Sequence, residues 1–121
     1  MRIFKNRSFH RWAYSENLTD EILKKAVREM ETGLYEASLR SGLYKKRIAR
    51  QERGKREGYR ILLAFKEGEK TFFIYGFAKN DRGDISESER KIHRQLAKNF
   101  LSMDASAIQK MLNNGKLFEV T

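Results

Sequence analysis

Residues 59–65 and 71–78, YRILLAF and TFFIYGFA, are dense in branched and aromatic side chains and stand five residues apart. Such runs suit a pleated, packed surface. The link between them, KEGEK, contains Gly68 and is short enough for a hairpin. Residues 43–49 alternate loosely just upstream, so the centre of the chain reads as a three-stranded antiparallel meander. The link over residues 50–58 is longer, contains Gly54 and reads as a mobile basic loop.

Alternate strand residues share a face. Lys45 and Arg47 therefore point one way, with Ala49 beyond them. Arg60 shares a face with Leu62 and Ala64, and Ile61, Leu63 and Phe65 form the opposite, core-like face. In the third strand, regular alternation sets Phe73, Tyr75 and Phe77 against Phe72, Ile74, Gly76 and Ala78, and the small Gly76 and Ala78 leave room above the sheet.

The flanks read as helices. Residues 2–4 suit a short first strand, and Phe9, Trp12 and Ala13 follow helical spacing over residues 8–15. Thr19 is placed to cap a helix over residues 20–32, with Asp20 and Glu21 in its first turn and Gly33 as its stop. Ser86 and Glu89 have the spacing of a capping box, and Ile92, Leu96 and Phe100 continue a stripe to about residue 101. Asp104 caps a further helix that Gly115 ends, and residues 117–120 suit a terminal strand. The order implies one α+β domain over residues 1–121, with helices packed on one face of a small sheet.

The net charge of +10 favours polyanionic partners. Its placement is more informative than its size. Residues 40–60 hold nine Lys or Arg and two acids, Glu52 and Glu57, a net +7. Charge runs are ordinarily solvated faces, but this one is tied to a packed sheet. Phosphates bind such a surface by releasing counterions. Tyr44, Tyr59 and Tyr75 are candidates to stack on unpaired bases.

Other chemistries find little support. The chain has no cysteine, which removes disulfides, thiol catalysis and zinc–thiolate sites. No carboxylate cluster is spaced for a metal, and no cofactor is expected. RGKREG lacks the spacing of a P-loop. His10 and His93 read as surface or partly packed histidines, Trp12 as a core anchor and Ser86 as a cap. No apolar run approaches the ~18 residues of a membrane span, and the first residues lack a secretory apolar core, so a cytoplasmic protein is expected.

The segments GLYKKRIARQERGKREGYRILLAF and FFIYGFAKNDRGDIS resemble the RelE/HigB family of bacterial type II toxins, and the flanking helices follow the family's order. The resemblance implies a RelE-like α+β fold: a small antiparallel sheet, two N-terminal helices on one face, the substrate surface on the other, and C-terminal helices. It implies metal-independent cleavage of mRNA, in many members on the ribosome, by attack of the RNA's own 2′-OH on the adjacent phosphate. It also implies a cognate antitoxin, often a helix-turn-helix protein.

Carried over by position, Arg60 would contact the scissile phosphate. Lys45 and Arg47 match two basic strand positions, of which the lysine is the better proton carrier if like charges lower its pKa. Lys79 matches a basic residue at the end of the last strand. Asn80 stands where many members have arginine, and Ser86 where several have a base-stacking tyrosine, so that either Tyr75 or another group substitutes or base recognition differs. Lys46, Arg50, Arg53, Lys55, Arg56 and Arg82 are the remaining RNA-backbone candidates. The two departures also admit a different class: an RNA- or ribosome-binding protein without catalysis.

Overall fold

The computed structural model describes residues 1–49 and 58–121. Among them the chain runs β1 (Arg2–Asn6), α1 (Arg7–Ser15), α2 (Asp20–Glu31), β2 (Ala37–Ser38), β3 (Leu43–Ile48), β4 (Tyr59–Lys66), β5 (Lys70–Ala78), α3 (Glu87–Leu101), α4 (Ala105–Asn113) and β6 (Leu117–Glu119). The loop candidates Arg50, Arg53, Lys55 and Arg56 lie outside the described residues.

Local chemistry sets the helix starts. The side chains of Asn6, Thr19 and Asp104 accept the N–H groups of Phe9, Ile22 and Ala107. Ser86 and Glu89 close a reciprocal capping box at the start of α3. Each contact satisfies a backbone donor that the helix itself leaves without a partner.

The sheet has the order β2-β3-β4-β5-β1-β6. β3, β4 and β5 form the expected antiparallel meander. β1 lies between β5, to which it runs parallel, and β6, to which it runs antiparallel. The fold is thus α+β with a mostly antiparallel sheet.

Helices cover both faces, which corrects the expectation of one covered face. α1 and α2 lay Phe9, Ala13, Leu23 and Val27 on Ile61, Leu63 and Phe73. α3 and α4 lay Ala97, Phe100 and Ile108 on Leu62, Ala64 and Phe72. The cause lies in β4: Ile61, Leu62, Leu63 and Ala64 are all 0% exposed, so both of its alternating sets need apolar cover. Ile92 also departs from expectation. It is 61% exposed, and α3 turns His93, Leu96, Ala97 and Phe100 inward instead.

β5 breaks its own alternation. Leu62 opposes Tyr75 while Leu63 opposes Phe73, so Ile74 is an extra residue, a β-bulge. Ile74, Tyr75 and Phe77 therefore all lie on the α3 side. Phe73 and Ala78 lie on the α1 side. Gly76 also faces α1, where a Cβ would stand 2.1 Å from Cζ3 of Trp12. The room expected above Gly76 is filled by that indole. Trp12 also packs against Phe9 and, edge-on, against Tyr59, in keeping with its reading as a core anchor.

Candidate nucleic-acid interface

Cross-strand register gathers the basic strand residues on the α3 side of the sheet. One row runs Arg47, Arg60, Phe77 across β3, β4 and β5, and the next runs Lys45, Leu62, Tyr75. The three cations named by alternation are thus neighbours on strands that are themselves packed. Like charges placed directly opposite repel, and carboxylates close the arrangement.

Glu36, just before β2, puts both carboxylate oxygens on Arg60 Nε, at 3.2 and 3.1 Å. It also lies 3.9 Å from Lys45 Nζ. The Glu36 backbone N–H donates to the Lys45 carbonyl at 2.8 Å, which fixes where its side chain starts. Arg60 is only 8% exposed, and its Nη1 also donates to the Tyr59 carbonyl. Asp84, in the β5–α3 connection, accepts from Lys45 Nζ at 3.3 Å and from Arg90 Nη2 at 3.2 Å. Burial pushes the Asp84 carboxyl up, but the Ile85 N–H and the Lys45 and Arg90 charges outweigh it and hold the pKa below the ordinary value. Lys45 is therefore set between two carboxylates, and not only among like charges.

A second layer stands beside this row. Arg82 donates to Glu89 at 3.0 and 2.7 Å and to the Tyr75 hydroxyl at 3.2 Å. Its guanidinium carbon lies 5.6 Å from the centre of the Phe77 ring, a cation–π distance. The Glu89 pair raises the Arg82 pKa, and Arg82 together with the Ser86 N–H lowers that of Glu89 to about 2. His93 stacks on Tyr75 with ring centres 5.2 Å apart. Burial lowers its pKa, and its Nδ1 is buried without a hydrogen-bond partner.

The other candidates are placed as follows. Lys79, at the end of β5, donates to the Gly83 carbonyl, and Asn80 is exposed. Lys46 points to the α2 side, is 4% exposed and pairs with Glu29 at 2.8 Å. Tyr59 is buried against Trp12 and donates its hydroxyl to Glu16. Tyr44 sits in a cluster with Tyr35 and Phe65. Of the three tyrosines considered for base stacking, Tyr75 alone is on the face that carries Arg60.

Sequence reading missed Glu36, Asp84 and the partnership of Arg82 with Glu89. Glu89 was legible only as a cap. Glu36 and Asp84 carry no local signal, since each reaches its partners through the sheet's register. What results is chemically suited to a phosphate: a guanidinium and an ammonium held on strands, beside an aromatic surface and exchangeable carboxylate counterions.

The family model described as RelE toxin of the RelE/RelB toxin–antitoxin system matches residues 1–120. No curated protein matches the chain.

Proposed function

This chain belongs to the RelE family of toxins from toxin–antitoxin systems, and from that premise we propose that it is an mRNA endoribonuclease that acts on the ribosome in the cytoplasm. The family makes it a toxin with a cognate antitoxin. The cleavage reading is carried by one observation: Lys45, Arg47 and Arg60 converge on adjacent strands of one packed sheet face.

In this reading Arg60 grips the scissile phosphate and stabilises the charge that develops on it as the 2′-OH attacks. A preorganised donor of this kind contributes strongly in a partly desolvated site. Lys45 and Arg47 complete the cradle. Tyr75, backed by His93 and held by Arg82, offers the aromatic surface that Ser86 cannot, since Ser86 is committed to its capping box. Lys79 and Asn80 lie at the rim. The basic residues 50, 53, 55 and 56 would grip ribosomal or messenger RNA backbone. A helix-turn-helix antitoxin is the partner we expect.

Inducing the protein and mapping new mRNA 5′ ends tests the reading. Growth arrest with discrete new ends that vanish in Arg60→Ala is the expected result. Unchanged toxicity in that variant would remove Arg60 from catalysis. A second reading, RNA binding without cleavage, is favoured by Asn80 and Ser86, and it predicts ribosome association with no new ends.

A further inference from the structure

We propose that the free edge of β5 beside Trp12 is a slot for one unpaired base of the RNA, selective for guanine. The inference rests on the RNA reading above and adds which base is chosen and by what.

β5 outlasts its neighbour. β1 pairs with it as far as Phe73 and then turns into α1 at Arg7, whereas β5 runs on to Ala78. Beyond Phe73 its strand partner is β4 alone. The Lys79 N–H donates to the Gly58 carbonyl, and the bonds of an antiparallel ladder alternate. Tyr75 and Phe77 therefore aim their backbone groups at β4, while Gly76 and Ala78 aim theirs at the free edge. The Ala78 carbonyl is taken by the N–H groups of Asp81 and Arg82. The Gly76 N–H and carbonyl and the Ala78 N–H meet no protein partner among the described residues, although both residues are buried. Buried backbone groups are ordinarily paired, so this edge suits a ligand with hydrogen-bonding groups of its own.

A cavity of about 340 Å³ lies on the edge, the size of a small-ligand pocket. Trp12 flanks it from the α1 face of the sheet and Phe77 from the α3 face. Aromatic walls with polar groups between them suit a flat base. A peptide strand fits less well, because two residues with outward groups are too few for an added strand.

Asp81 and Arg82 complete the lining, and Asp81 forms no ion pair among the described residues. That carboxylate selects among bases. Guanine alone of the four offers two adjacent donors, N1–H and the N2 amino group, which one carboxylate accepts together. Its O6 and N7 accept from backbone N–H groups. Adenine and cytosine set an acceptor ring nitrogen beside the amino group, which a carboxylate repels. Uracil has one donor.

The slot is within reach of the cationic row. Phe77 is the cross-strand partner of Arg60, and strands lie about 5 Å apart. Arg82 spans the gap, since it lines the slot while its guanidinium lies over Phe77 and donates to Tyr75 on the Arg60 face. A message crossing Arg60 and Tyr75 thus passes a cation on its way to the slot.

Trp12 is the chain's single tryptophan, so its emission reports on the slot directly. The purified full-length chain is titrated with oligouridylates that carry one guanine, one adenine, one cytosine or no replacement. The guanine-containing RNA is expected to change Trp12 emission and to bind at least about tenfold more tightly than the others. Asp81→Asn should bring all four within about twofold of one another, with affinity for plain oligouridylate equal or tighter, since a negative charge is gone. Equal affinities in the wild type would overturn the proposal. So would a guanine preference that survives Asp81→Asn, or bound guanine-containing RNA that leaves Trp12 emission unchanged. Mapped mRNA ends separate the two readings. Cleavage without the guanine preference removes the slot alone, and the preference without cleavage keeps the slot and removes the nuclease.

Discussion

Arg47 and Arg60 are direct cross-strand partners on β3 and β4, and the Glu36 carboxylate rests on the Nε of the second. Two cations in one row cost stability. Their retention on an otherwise packed face argues for an anionic ligand more strongly than the chain's net charge does.

Arg60→Lys separates charge from shape. A lysine keeps the positive charge and can still meet Glu36, but it lacks the planar fork that fits a phosphate. RNA cleavage should fall at least tenfold, while urea unfolding shifts by less than about 1 kcal/mol, since the charge pair survives. Equal cleavage by the two proteins in a primer-extension assay would show that a point charge suffices.

Lys46→Met should behave in the opposite way. Lys46 is buried on the α2 side and pairs with a Glu29 side chain that is 34% exposed. Solvent can take up part of that lost partnership, so we expect a cost of about 1–2 kcal/mol, below that of a fully buried pair. Cleavage at saturating substrate should stay within about twofold. Chemical denaturation and a cleavage assay on one preparation check both halves.

Gly76→Ala drives a methyl into the Trp12 ring, 2.1 Å from Cζ3. Overpacking of this kind costs about 1–3 kcal/mol. The double variant with Trp12→Leu should recover a good part of that loss, because the obstruction is the indole itself. Additive losses in a double-mutant cycle would place the strain elsewhere.

The Arg82–Glu89 pair has a defined pH window. Its Arg82 bond holds the Glu89 pKa at about 2, against an ordinary 4.5. A depressed folded-state value means that the pair supports the fold fully above the ordinary value and loses that support as pH falls towards about 2. Arg82→Gln should move the Glu89 titration, followed by carboxyl carbon NMR, back towards the ordinary carboxylate range. The acid tolerance that separates the two proteins should then appear between those limits and not at neutral pH.

Neutralising residues 50, 53, 55 and 56 together with glutamine should act on affinity. Each lost phosphate contact lowers the salt dependence of RNA binding by about one unit of slope. The single-turnover rate on bound message should change little, in contrast to Arg60→Ala. A rate loss that saturating protein fails to restore would assign these positions to the chemical step.

What the sequence disclosed followed how local each cause is. Caps at Thr19, Ser86 and Asp104 are decided within four residues, and all formed as expected. Lys45, Arg47 and Arg60 were legible because alternation holds through β3 and β4. The same rule separates Lys46 from Lys45, although the two share one charge run. The bulge at Ile74 was not legible, because FFIYGF reads as regular strand. Nor was β2, a two-residue strand joined to β3 through Arg40 and Ser41 at φ of 75° and 58°. Residues other than glycine seldom adopt that conformation, so nothing marked the turn that brings Glu36 to Arg60.

The position of β1 bears on how the chain assembles in time. β2 to β5 pair with their neighbours in sequence, so the face that carries Arg60 needs only short loops to close. β1 must wait for β5 and then for β6, partners from the far end of the chain. Such distant contacts form slowly. The cationic face is therefore expected to assemble before the sheet is complete. In pulse-labelled hydrogen exchange, the β4 amides should gain protection earlier than those of β1.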